Sequence, residues 1–300
     1  MSMSSVVGGK LGAQARRLFD RLPPIVRRTV IAVRARREGV REQQILGTTL
    51  LVEGSTHLSV DYDDAWLIGL ISESSGFVDV GCNIGYFALA SCVLRPEAQV
   101  LAIDANPECA AVTAANLVRN GFGTRSRVVS AFVSDKEASV RFNTVGLGAA
   151  GSGVEGLART AEQIDAATTV RSFTLSSILE STGFVTDLVK VDVEGAEREV
   201  LAGASDAVAR WKPRFMVEMH SGENLPMRTN AADVLAWCDQ HDYDAWYLAT
   251  GERLADPGPL EHRGRCHLLL QERGAPFPSI IEGIPQSAAV DLVLNRLGRA

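Results

Sequence analysis

Along most of the chain, short apolar runs alternate with segments long enough for two or more helical turns. The runs "FVDV" (77–80), "VLAID" (100–104), "VVSAFV" (128–133), "LVKVDV" (188–193), "FMVEM" (215–219), "DAWYLAT" (244–250) and "CHLLLQE" (266–272) read as strands. Helix-length stretches such as 86–94 and 107–120 separate most of them. The second of these opens on Pro107 with an acid in its first turn and stops at Asn120-Gly121. Near-continuous apolar strands that alternate with helices predict an α/β fold, with a doubly wound, mostly parallel seven-stranded sheet covered on both faces. The segment "TVGLGAAGSGVEG" (144–156) breaks the rhythm with five glycines and few large side chains, and is expected to be a mobile loop able to act as a lid.

The first strand runs straight into Asp79-Val80-Gly81-Cys82-Asn83-Ile84-Gly85, and a helix follows at once. Glycines at a strand-to-helix turn let the backbone approach a ligand that a β-carbon would push away. A dinucleotide site needs G-x-G-x-x-G to cradle a pyrophosphate, whereas the pattern here is G-x-N-x-G preceded by an acid. Asp79 would repel a pyrophosphate but suits a ligand amine. Asp104 closes the second strand, where a carboxylate can accept both hydroxyls of a ribose. An amino-acid end, a ribose and an adenine together describe S-adenosylmethionine, with the adenine expected beside Ala131, Phe132 and Asp135. Gly81, Asn83, Gly85, Ala105 and Asn106 complete the expected cofactor-binding set. The plainer alternative is that the glycines only make a tight turn and Asp104 caps a helix.

"FVDVGCNIGYFAL", "AIDANPE", "DLVKVDVEGAEREVLAGA" and "RFMVEMH", in that order from about residue 61 to 220, resemble the FkbM family of S-adenosylmethionine-dependent methyltransferases. The resemblance implies a Rossmann-like class I methyltransferase domain over 61–300, and the segment 1–60 ahead of it is expected to be a basic helical appendage. It also implies O-methylation, often of a sugar hydroxyl in a natural product, glycan or lipid-linked saccharide. Cys82 departs from the family's more usual alanine. Methylation of a nitrogen or a carboxylate uses the same cofactor half, and a non-catalytic cofactor-binding module is a further alternative.

A second constellation lies in "KVDVE". On an extended strand, Lys190, Asp192 and Glu194 share one face and the valines the other. Three charges on one face of a central parallel strand are costly to bury, so something must compensate them. Glu218 and His220 repeat the theme on the next strand, which neighbours this one in the methyltransferase sheet. Methyl transfer requires a hydroxyl placed behind the methyl group and a group that removes its proton. His220 is the expected base, Asp192 is expected to meet the methionine amine or orient the acceptor, and Glu194 and Glu218 to hold acceptor hydroxyls. Structural alternatives are Glu194 or Glu197 as a helix-start acid, and Glu218 as a buried partner of Lys190. Three carboxylates and a histidine can also hold magnesium, although no ligand spacing here is diagnostic, and no metal ligand is assigned.

Composition narrows the partners. The chain has 300 residues, 46% hydrophobic and 22% charged, with net charge −6. Residues 1–45 carry ten Lys/Arg against three acids, +7, which leaves −13 for the rest. An acidic body argues against a nucleic-acid substrate, while the basic arm can touch an anionic membrane surface peripherally. Five cysteines without a C-x-x-C pair fit a reducing compartment, and no signal-type or spanning segment is apparent, so a cytoplasmic location is expected. The expected partner is a small-molecule or saccharide acceptor, with a homo-oligomer possible.

Overall fold

A computed structural model of the chain describes residues 39–54, 64–144, 146–147, 151–153 and 167–299. The basic arm over 1–38 and most of the glycine-rich loop lie outside these residues. The described part of the segment expected to be helical is a hairpin, β1 (Arg41–Ile45) and β2 (Thr48–Val52). Leu46 and Gly47, both at positive φ, form its two-residue turn, the geometry that suits a tight hairpin. Ile45, Leu50 and Val52 are buried against the main body.

The main sheet has the order β5-β4-β3-β9-β10-β13-β11-β12. Its parallel part is β5 (Ser126–Ser130), β4 (Gln99–Asp104), β3 (Gly76–Val80), β9 (Leu188–Val191) and β10 (Arg214–His220). β13 (Arg265–Glu272) enters antiparallel between β10 and β11 (Tyr243–Tyr247). These seven strands match the expected sheet, and the two-residue β12 (Glu252–Arg253) adds a short eighth at the edge.

Alternation along the central strands feeds two cores. Val78, Val80, Leu101, Ile103, Val189 and Val191 face one core, which is covered by α4 (Leu175–Thr182), α5 (Glu197–Ala202), α6 (Ser205–Trp211) and α7 (Met227–His241). Phe77, Val100, Ala102, Leu188 and Met216 face the other, under α1 (Asp64–Ser72), α2 (Tyr86–Leu94) and α8 (Asp291–Arg296). α3 (Pro107–Arg119) packs on β4 and β5 and is capped by Asn106, whose side chain accepts the Glu108 N–H at 3.0 Å.

Three expectations change. The run "VVSAFV" divides at Ala131, and β6 (Phe132–Val133) joins β8 (Ala167–Phe173) and β7 (Ala138–Asn143) in a separate three-stranded sheet. "LVKVDV" ends as a strand at Val191, so the alternation of Lys190, Asp192 and Glu194 along one strand face does not extend to Glu194. The helix expected over 196–204 breaks at Gly203-Ala204 into α5 and α6, and Gly203 passes so close to Ser134 that a β-carbon would lie 2.1 Å from its carbonyl oxygen. No helix among the described residues is long and apolar enough to cross a membrane.

Candidate active site

A cavity opens at the carboxyl ends of β3, β4 and β9, where doubly wound sheets place their ligands. Its walls include Gly81 and Asn83 after β3, Asp104 and Ala105 after β4, and Ala131, Phe132 and Phe142 beyond β5. Asp192 and Glu194 form the remaining, acidic wall after β9. Seven of the residues expected to meet the cofactor (Gly81, Asn83, Asp104, Ala105, Ala131, Phe132 and Asp192) therefore share one cavity.

Of the other four, three stand behind it. Gly85, at φ +87°, begins α2 against Thr113, where a β-carbon would lie 2.7 Å from the threonine methyl. Asn106 is buried and donates its backbone N–H to Asp104 Oδ1 at 2.8 Å. Asp79 is fully buried and its carboxylate lies 3.4 Å from Lys190 Nζ, so it does not meet a ligand amine at the cavity wall. Asp135 is exposed and lies outside the cavity lining.

Asp104 is held at both oxygens, since Asn83 N–H donates to Oδ2 at 2.7 Å and Asn106 N–H to Oδ1. Each oxygen keeps a second lone pair for a ligand hydroxyl. Burial pushes its carboxyl up to about 6, against the lowering effect of the two N–H donors. Gly81, at φ +80°, lies against the start of the acidic turn, and a β-carbon there would stand 1.8 Å from the Asp192 carbonyl oxygen. The two strand ends thus touch backbone to backbone.

The acidic wall is backed by a buried network. Lys190 Nζ sits 3.4 Å from Asp79 and 3.3 Å from Asp192, and also donates to the Gly81 carbonyl at 3.3 Å. The compensation that the sequence demanded for "KVDVE" is therefore Asp79 with Lys190. Glu218 does not pair with Lys190. Arg265 Nη1 meets its Oε1 at 2.8 Å and His267 Nε2 its Oε2 at 3.3 Å, because β13 runs beside β10 with His267 opposite Glu218. Bonds from His220 and His267 hold the Glu218 carboxyl well below its usual range in spite of burial.

His220 ends β10, 7% exposed, and does not line the cavity. Its Nδ1 is 2.8 Å from Glu197 Oε1, and its Nε2 is 3.5 Å from Glu218, 3.6 Å from Glu194 and 4.0 Å from Asp192. Desolvation pulls the imidazole down, but the bonds to Glu197 and Glu218 outweigh it and raise it to about 11. His220 is then an imidazolium at neutral pH and has no lone pair to take a proton. The residue expected to be the base thus stands behind the cavity wall, among carboxylates that favour its protonated form. Glu194 does line the cavity, and burial raises its carboxyl above the usual value although His220 lowers it. It stands at φ +53° in a turn with Gly195 at φ +102°, and its carbonyl accepts the Ser152 hydroxyl at 2.6 Å. Glu197, which the sequence offered only as a helix-start acid, and Asn230 are the participants that sequence reasoning missed.

Asp192, Glu218 and His220 bring one ligand-type atom each within 4.8 Å of one another. Lys190 and Arg265 already give two of these groups cationic partners, so no metal is assigned to them.

Comparison with solved structures finds distant likenesses. An FkbM methyltransferase of Methylobacillus flagellatus is 18% identical with a TM-score of 0.41, over 66% of this chain and 43% of that one, so the chain spans less than half of that relative's length. An O-methyltransferase from Bacillus cereus, solved in complex with SAH, is 10% identical with a TM-score of 0.39, over 69% and 79%. A precorrin-6y C5,15-methyltransferase from Geobacter metallireducens is 9% identical with a TM-score of 0.40, over 73% and 94%. Comparison with curated proteins gave no match. The model of the methyltransferase FkbM domain matches residues 79–245, more than half of the sequence, from the buried Asp79 into β11. The chain belongs to the FkbM methyltransferase family.

Proposed function

We propose that the protein transfers a methyl group from S-adenosylmethionine to a hydroxyl group of a small-molecule or saccharide acceptor, with Glu194 receiving the hydroxyl proton. The carrying observation is that Asp104, an apolar slot and an acidic wall line one cavity. These residues fit the donor. Asp104 has lone pairs for ribose hydroxyls, Ala131, Phe132 and Phe142 suit a flat apolar ring, and Asp192 suits a cationic amine. When bound, the donor supplies an activated methyl on a positively charged sulfur.

The chain's residues then have two tasks, to orient the acceptor and to accept its proton. Glu194 serves the second because its carboxylate faces the cavity and its raised pKa makes it a better base than an ordinary surface glutamate. Asp192, fixed by Lys190, is placed to orient the donor amine or an acceptor hydroxyl.

Calorimetry with S-adenosylmethionine, followed by turnover against glycosides, simple alcohols, amines and carboxylates, tests this reading. Asp104→Ala should bind the donor at least about tenfold more weakly, since two hydrogen bonds to a charged group are lost, each worth roughly 1.5–3 kcal/mol. Wild-type affinity should also fall as pH drops below about 6, where Asp104 takes up a proton and loses acceptor capacity. Unchanged affinity in folded Asp104→Ala removes that residue from the site. Turnover of amines or carboxylates with none of hydroxyl compounds overturns the acceptor assignment.

A further inference from the structure

Glu197 is a carboxylate of the cluster held by three partners, and proton transfer to Glu194 gives it no task. It is fully buried at the first turn of α5. Its Oε1 accepts the Gly195 N–H at 2.8 Å and meets His220 Nδ1 at 2.8 Å, while Oε2 accepts from Asn230 Nδ2 at 3.3 Å. The same Asn230 amide donates to the His220 carbonyl at 3.0 Å, so one residue of α7 ties the acid to the strand end that carries the imidazole.

A histidine without such a bond can turn either ring nitrogen toward its neighbours, and a hydrogen bond at one nitrogen decides what the other presents. Here the Nδ1 bond directs Nε2 at three carboxylates, and two of them, Asp192 and Glu194, are cavity wall. The Gly195 N–H bond also sets Glu197 against the turn that carries Glu194. One buried carboxylate therefore fixes both the imidazole and the backbone of the residue in front of it.

We propose that Glu197 is a positioning residue for methyl transfer, holding His220 through Nδ1 so that its Nε2–H faces Asp192 and Glu194 and keeps both carboxylates in place at the reaction cavity. The inference rests on the reading of that cavity as the site of methyl transfer to a hydroxyl. The charged groups around the ring are consistent with it. Glu197 approaches from α5, Asp192 and Glu194 from the turn after β9, and Glu218 from β10 itself, and Arg265 and His267 on β13 face Glu218. Asn230 on α7 is neutral.

Long-range 1H–15N spectra of the histidine side chains of the full chain, paired with steady-state kinetics, test the proposal. In the wild type His220 should carry a proton on both ring nitrogens and stay so through the neutral range. In Glu197→Gln the ring should titrate within that range, and kcat should fall about a hundredfold, as for a misplaced catalytic group. The acceptor KM and the donor Kd should stay near wild type, a split that general loss of structure does not produce. Asn230→Ala, which leaves every charge in place, should move the ring signals and kcat in the same direction by less, and serves if Glu197→Gln does not fold.

An Nδ1 without a proton in the wild type overturns the proposal, and so does unchanged kcat in a folded Glu197→Gln. If the ring responds to Glu197→Gln while the wild type turns over no hydroxyl compound, the positioning stands and the acceptor reading falls. If both enzymes turn over hydroxyl compounds equally, the acceptor reading stands and the positioning falls.

Discussion

Glu194 occupies a left-handed backbone conformation at φ +53°, which costs a non-glycine residue roughly 1 kcal/mol or more. Such strain persists where surrounding structure imposes it, here the Ser152 hydroxyl on its carbonyl and Gly195 after it. Strain and function can be separated by substitution. Glu194→Gly relieves the conformation and removes the carboxylate, so thermal stability should hold or rise while turnover drops by about 10² to 10⁴. Glu194→Gln keeps the strain and loses the base, so it should show the same loss of turnover without the gain in stability. A Glu194→Gly variant that melts well below wild type, or either variant with near-native turnover, would place Glu194 in the architecture instead of the chemistry. His220→Ala is a poorer probe of catalysis, because it leaves Glu197 and Glu218 buried with one cation fewer, a loss of roughly 3–5 kcal/mol.

At the level of elements, the site depends on the contact between the turn after β3 and the turn after β9. Gly81 has no room for a methyl group, since its β-carbon would overlap the Asp192 carbonyl oxygen and its φ is positive. Gly81→Ala should therefore spread the two strand ends, lower the melting temperature by several degrees and weaken donor binding in the same variant. Near-native melting and affinity would mean that the turns can part without cost. The sequence discloses the strands on either side of this contact, because "FVDV" and "LVKV" are short apolar runs bounded by glycines and acids. It does not disclose where β9 stops, since "KVDVE" continues the alternation and only the turn at Glu194 and Gly195, both at positive φ, ends it. The β7–β8 sheet is missed for another reason. "ASVRFN" and "ATTVRSF" are mostly polar on a half-exposed surface and lack the apolar runs that mark the central strands. Glu197 escapes detection because its partner His220 is 23 positions away, and only the packing of α5 on β10 brings them together.

Over the whole molecule, the charges that build the site also set how stability changes with pH. His220 keeps its proton in the fold up to about 11, whereas in the unfolded chain it loses it near 6.5. Its contribution is therefore fully present below about 6.5 and is lost as pH rises toward 11. Buried thiols act in the same direction but later. Burial raises Cys92 to about 11 and Cys238 and Cys266 to about 12, so they weaken the fold only once the unfolded thiols ionise, near 8.5. Asp104 acts on the other side of neutrality. Raised to about 6, it costs stability as pH climbs from about 4 to 6 and little beyond. Between pH 7 and 8 His220 is the dominant shifted group among these, and one proton of difference amounts to about 1 kcal/mol across that unit. Urea unfolding at pH 7 and 8 should show the wild type losing about that much, and His220→Gln, less stable overall, should lose much less over the same interval. Parallel losses in the two proteins would mean that His220 is not an imidazolium in the fold, and would return the imidazole to candidacy as the base in place of Glu194.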